Sequence, residues 1–169
     1  WFGDGIETRR SGALCELGTQ RVIDPRHDES SLLTQNLLYF AHKINQVIQT
    51  RSAEINIVEI GGGYGGLARL LKILYPTSKL LLFDLPESNF ISEYYLRRCF
   101  PDEQFFTMKD LKGVTIGNAD FVILPGWHIN KLSAESIDLV VNTRSMMEMK
   151  FETIKNYFTF IHKHINEKI

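Results

Sequence analysis

Five glycines within six residues, Gly61, Gly62, Gly63, Gly65 and Gly66, separate the run Ile55–Ile60 (INIVEI) from the run Leu67–Leu74 (LARLLKIL). A β-branched run enters and an amphipathic run leaves, so the pattern reads as strand, turn, helix. A tight turn needs one or two glycines. Five suit a backbone that adopts positive φ and lets another group approach it closely. The helix start would offer that group free N–H donors and the positive end of a dipole.

The rest of the chain repeats this alternation. Lys79–Asp84 (KLLLFD) is a continuous apolar run ending in a carboxylate, the pattern of a strand buried on both faces of a parallel sheet. Glu103–Met108 (EQFFTM), Asp120–Leu124 (DFVIL) and Ser136–Asn142 (SIDLVVN) read as further strands. Helical spacing predicts Asp28–Thr50, through Leu33, Leu37, Phe40, Ala41, Ile44, Val47 and Ile48. It also predicts Gly65–Tyr75, stopped by Pro76, and Pro86–Phe100, stopped by Pro101, with Phe90, Ile91, Tyr94 and Tyr95 as the inner face. Phe151–Ile165 should be a last helix, with Phe151, Ile154, Tyr157, Phe158 and Ile161 on one side. Residues 1–27 lack periodicity. The order after the first helix is β-α-β-α-β-β-β-α, which predicts an α/β fold with a Rossmann-like, doubly wound parallel sheet. Residues 1–50 would form a loop and helix cap, joined as one unit to a sheet domain over 51–169. Ligands of such sheets bind beyond the carboxyl ends of the strands, where strand order reverses.

Composition narrows the setting. The 169 residues suffice for one core, and a net charge of -1 gives no electrostatic footprint for nucleic acid or an anionic membrane. Cys15 and Cys99 lack metal-type spacing and read as reduced thiols. No apolar run approaches the roughly 20 residues of a membrane span, and WFGDGIETRR lacks the order of a signal peptide, so a cytoplasmic setting is expected. The chain begins without Met and stops after a helical pattern. It is expected to be a piece of a longer protein, incomplete at the C-terminal end. An open sheet edge would then pair with missing strands or with another copy of the chain.

The glycines spell two motifs. Gly61, Gly63 and Gly66 satisfy G-x-G-x-x-G, the dinucleotide pattern of an NAD(P)-dependent oxidoreductase. Gly61, Gly63 and Gly65 satisfy G-x-G-x-G, with Glu59 two places before the first glycine. Asp84 would accept ribose hydroxyls in either case. A carboxylate close to the turn repels a pyrophosphate and attracts a cation, so Glu59 favours a cationic ligand. A non-catalytic cofactor-binding or scaffold domain is a third reading.

An acid followed by G-x-G-x-G resembles the first motif of class I S-adenosylmethionine-dependent methyltransferases. The blocks VEIGGGYGGLARLL, FDLPE, ILPGWHINKL and SIDLVVNTRSMMEM together resemble the sugar O-methyltransferase family and cover roughly residues 57–149. The resemblance implies S-adenosylmethionine as methyl donor and a small-molecule hydroxyl acceptor, a sugar or glycoside. It implies that Glu59, Gly61, Gly62, Gly63 and Gly65 line the methionine part, that Asp84 holds the ribose, that Leu85 packs near the adenine, and that Asn142 lies near the methionine end or the acceptor.

Methyl transfer to a hydroxyl is helped by a general base, and two residues near strand ends are candidates. His128, in PGWHIN, has an imidazole suited to neutral pH. Glu148, in NTRSMMEM, is a carboxylate that could accept a proton or a sugar hydroxyl. Trp127 offers a face for a sugar or an adenine ring, and Met146, Met147 and Met149 read as packing. Some sugar O-methyltransferases use a divalent cation, but no cluster here has metal-ligand spacing.

Overall fold

A computed structural model of the chain describes residues 31–48, 55–111, 119–131 and 137–164. Its elements are α1 (Ser31–Ile48), β1 (Asn56–Ile60), α2 (Gly66–Leu74), β2 (Lys79–Asp84), α3 (Pro86–Cys99), β3 (Phe105–Thr107), β4 (Phe121–Pro125), β5 (Leu139–Val141) and α4 (Phe151–His164). Short 3-10 turns occupy Met108–Asp110, Gly126–Lys131 and Ser145–Glu148. The expected irregular stretch 1–27, the ends of the first predicted helix and Cys15 lie outside the described residues.

The five strands form one sheet in the order β3-β4-β2-β1-β5, and every pairing is parallel. The continuous apolar runs explain this. Alternate side chains of each strand serve opposite faces, and both faces are covered. On one, Ile57, Leu80, Leu82, Phe121 and Ile123 pack with Ala41, Ile44 and Ile48 of α1, Leu67, Ala68 and Leu71 of α2, and Leu96 of α3. On the other, Val58, Ile60, Leu81, Phe83, Val122 and Leu124 pack with Tyr157 and Phe160 of α4 and with Ile129. The chain runs from β1 to β2 and on to the edge strand β3, comes back to insert β4 between β3 and β2, then places β5 on the other side of β1. Strand order therefore reverses between β1 and β5, at the carboxyl end of which lies the glycine loop. Among the described residues no helix is long and apolar enough to cross a membrane.

The inner face of α3 differs from the expectation. Phe90 is 75% exposed, and Ile91 and Tyr94 are exposed too; Asn89, Ser92 and Leu96 are buried instead, with Tyr95 partly packed. The reason is close approach. A Cβ on Gly65 would stand 3.0 Å from Leu96 and 3.4 Å from Ser92, so the helix meets the glycine loop through small and polar residues. Ranking by hydrophobicity misplaces such a face. Likewise Leu33 and Val47 of α1 and Phe151 and Phe158 of α4 point outward, while Ala41, Ile44, Ile48, Tyr157 and Phe160 carry the burial.

At the amino ends of the strands sits a fully buried lysine. Lys72 Nζ donates to the Ser78 carbonyl at 2.9 Å and to Asp120 Oδ1 at 3.0 Å, and lies 3.5 Å from Glu103 Oε2. These residues immediately precede β2, β4 and β3, so one cation ties three strand starts to α2. Burial works to raise the Asp120 pKa, yet the Gln104 amide, Glu103 and Lys72 together hold it below its ordinary value. Removing the cation strands two carboxylates and a carbonyl. Lys72→Ala should lower the unfolding free energy by about 3 kcal/mol in urea titrations, and Lys72→Met by less because its apolar stem is kept. Equal midpoints for wild type and Lys72→Ala would show that the network carries no net stability.

Candidate functional site

The turn after β1 is built by glycines with distinct duties. Gly61, Gly63 and Gly65 have φ of +77°, +56° and +88°, in the left-handed region that side chains resist. Gly61 N–H continues the ladder to the Phe83 carbonyl at 2.8 Å. A Cβ on Gly61 would collide with Ser145, and one on Gly62 would sit 3.2 Å from Leu82 Cδ2 and 3.5 Å from the Glu59 carboxyl. A Cβ on Gly63 would meet no described atom within 4 Å. Gly63 is thus the turn's open face. Gly65 N–H returns to the Gly62 carbonyl at 3.0 Å, and Gly65 carbonyl receives Arg69 N–H at 2.9 Å to begin α2.

Asp84, the last residue of β2, fixes this turn from the side. Its Oδ2 accepts Gly63 N–H and its Oδ1 accepts Leu85 N–H, both at 2.7 Å. Each oxygen keeps a second lone pair for an incoming hydroxyl. Leu85 beside it is 64% exposed. Glu59 lies beneath the turn, 5% exposed, and its Oε2 has no hydrogen-bond partner among the described residues. Burial, and then the charge of Asp84, push its pKa up to about 8. The chain by itself therefore holds Glu59 mostly protonated at neutral pH.

The third wall comes from the turn after β5. Asn142 Nδ2 donates to the Ile60 carbonyl at 2.8 Å and to Ser145 Oγ at 2.6 Å. Ser145 Oγ donates to the same carbonyl at 3.1 Å. Glu59, Gly61, Gly62, Gly63, Gly65, Asp84, Leu85 and Asn142 are thereby gathered around one loop at the carboxyl ends of β1, β2 and β5. The two base candidates stand apart from each other. His128 is half-buried on the turn after β4, beside Trp127, which is 63% exposed. Glu148 is exposed on the turn after β5, across β1 in the sheet order. Among the described residues no three His, Cys, Asp or Glu side chains are grouped to hold a metal.

Three residues escaped the sequence reading. Ser145 has no motif of its own, although its spacing from Asn142 fits a turn. Asn89 is buried on the first turns of α3 with Oδ1 unpartnered, its Nδ2 donating to the Asp84 carbonyl at 3.4 Å. Tyr157 reaches from α4 to the backbone at Gly126; burial, then the charge of Asp84, raise its pKa. The roles of Ser145 and Tyr157 were hidden because each depends on a neighbour distant in sequence; Asn89 acts on Asp84, five residues before it, and no motif marks it.

A family model of the O-methyltransferase domain matches residues 20–136. The chain belongs to the O-methyltransferase domain family. No curated protein sequence matches it. Among solved structures, the glycopeptide N-methyltransferase MtfA, in complex with sinefungin, aligns with a TM-score of 0.52 at 11% identity over 75% of this chain and 44% of its own. A Klebsiella pneumoniae protein described as an O-methyltransferase aligns at 0.50 and 15% identity, over 88% of this chain and 57% of its own. A Corynebacterium glutamicum protein described as a spermidine synthase aligns at 0.51 and 12% identity, over 79% and 44%. This O-methyltransferase domain thus has the Rossmann-like sheet of class I methyltransferases and spans about half the length of these solved proteins. Since a spermidine synthase shares that sheet, the fold does not choose the reaction.

The buried acid of the O-methyltransferase domain predicts a pH dependence. Unfolded, Glu59 ionises near 4.5; folded, near 8. The unfolded chain therefore binds fewer protons between these values, and stability falls as pH rises from about 4.5 to about 8. Glu59→Gln should flatten that fall and gain a few kcal/mol over wild type at the alkaline end, read from urea unfolding at successive pH values. Parallel curves for the two proteins would contradict the raised pKa.

Proposed function

We propose that the domain binds S-adenosylmethionine in the glycine turn and directs its methyl group to a hydroxyl of a small acceptor, a sugar or glycoside. One observation carries the choice of ligand: three of the turn's amides are already engaged. Gly63 N–H goes to Asp84, Gly65 N–H to Gly62 and Gly61 N–H to Phe83. A dinucleotide turn needs such donors for its pyrophosphate. Here those of Gly61, Gly63 and Gly65 are taken, and a buried carboxyl whose Oε2 has no partner among the described residues lies beneath. The Asp84 charge repels phosphate, and Glu59, mostly protonated in the chain by itself, would be favoured in its ionised form by a ligand carrying cationic centres.

S-adenosylmethionine, when bound, supplies a methyl group on a cationic sulfur. The residues supply everything else. Asp84 would take ribose hydroxyls on its free lone pairs, and exposed Leu85 would cover one face of the adenine. Glu59 and Gly61–Gly63 would face the amino-acid end, with Asn142 at its far side. The acceptor oxygen must be held about 3–3.5 Å from the methyl carbon, in line with the bond to sulfur. Exposed Trp127 offers an apolar face of the kind a sugar ring stacks on. His128 or Glu148 would take the hydroxyl proton.

Calorimetric titration tests the ligand. S-adenosylhomocysteine should bind and NAD should not; binding of NAD alone would promote an oxidoreductase. Asp84→Ala should weaken S-adenosylhomocysteine about tenfold or more through lost hydroxyl contacts and a loosened Gly63. Unchanged affinity would remove the ribose role. With a labelled methyl donor and a panel of glycosides and phenols, loss of rate in His128→Ala or in Glu148→Ala should single out the base at about 100-fold. Full rates in both would exclude each.

A further inference from the structure

The backbone ladder between β1 and β5 ends at the pair Glu59 and Val141. One residue further on, side chains replace it. The Ile60 carbonyl, at the tip of β1, accepts both Asn142 Nδ2 at 2.8 Å and Ser145 Oγ at 3.1 Å. The other Nδ2 hydrogen of Asn142 goes to Ser145 Oγ at 2.6 Å, and Met146 N–H reaches Asn142 Oδ1 at 3.4 Å. Every polar group of this triangle is used. Ser145 also lies directly against Gly61, where any Cβ would strike its Cβ and Oγ. Gly61 is therefore fixed from both sides: its N–H by Phe83 of β2, its α-carbon by Ser145 beyond β5. The family match stops at residue 136, short of this turn.

We propose that Ser145 is a positioning residue of the methyl-donor site. By holding the Ile60 carbonyl and filling the space against Gly61, it sets the direction in which Gly61–Gly63 leave β1. This role rests on the donor reading above. With the ribose at Asp84 on β2, the remainder of the donor extends across β1 toward β5. Ser145 then governs the amino-acid end, while Asp84 governs the nucleoside end.

That division makes the role separable from a merely structural one. Wild type and Ser145→Ala are titrated with S-adenosylhomocysteine and with adenosine, which lacks the amino-acid end. Ser145→Ala should bind S-adenosylhomocysteine about tenfold more weakly and adenosine within about twofold of wild type. Equal weakening of both ligands, or of neither, overturns the proposal. If Ser145→Ala fails to fold, Ser145→Cys keeps similar volume with a weak donor and must show the same selective loss. A wild-type chain that binds neither ligand overturns the donor reading itself; wild-type binding with an unselective variant overturns only the role of Ser145.

Discussion

Burying both faces of a parallel sheet confines its polar groups to the strand ends, and the two ends of this sheet use them differently. At the amino ends hydrogen bonding is closed. Lys72 satisfies Ser78 and Asp120, Asp120 Oδ2 holds the Gln104 amide at 3.0 Å, and Asp138 Oδ2 holds the Asn56 amide at 2.8 Å. At the carboxyl ends it is left open. The two buried side-chain atoms without a partner among the described residues are Glu59 Oε2 and Asn89 Oδ1, and both flank Asp84. A buried acceptor without a donor costs stability, on the order of 1–3 kcal/mol. Both atoms lie on one side of one turn.

The glycine turn shows how little of a motif needs to touch a ligand. Gly61 gives way to Ser145, Gly62 to Leu82 and Gly65 to Leu96. These three absent side chains serve the protein's own packing. Only Gly63 looks into open space. A motif defined by glycines therefore records a geometry, in which a loop is squeezed between β2, α3 and the turn after β5, and the ligand is selected by what lies around it.

Most of the frame could be read from the chain because it rests on local rules. Strand runs, proline stops and the strand–glycine–helix transition all depend on near neighbours, and the short β3 emerged where EQFFTM predicted it. The positions of Glu59 and Asp84 beside the turn could be read because each sits near the end of a strand that a local run defines. What stayed hidden was long-range. The buried face of α3 follows the close approach of Gly65, which no periodicity encodes. Ser145 matters through a carbonyl 85 residues away, and nothing in RSMME announces that contact.

The turn that carries Ser145 also carries Glu148. Met147 N–H bonds to the Arg144 carbonyl at 3.0 Å and Met149 N–H to the Met146 carbonyl at 3.3 Å, so the segment is a single 3-10 coil. It is pinned at one end to the tip of β1. A base here moves with the donor cradle, since one hydrogen-bonded triangle fixes both. His128 is held otherwise: its turn is anchored by Ile129 in the core beneath β4 and by Tyr157 against Gly126. An in-line displacement tolerates little error between donor carbon and acceptor oxygen. Under the proposed function the turn after β5 would meet that demand through a direct link to β1, and the turn after β4 only across β2. The two turns thus differ in how they are held: the turn after β5 is hydrogen-bonded directly to the tip of β1, and the turn after β4, with its exposed Trp127, is anchored through the core.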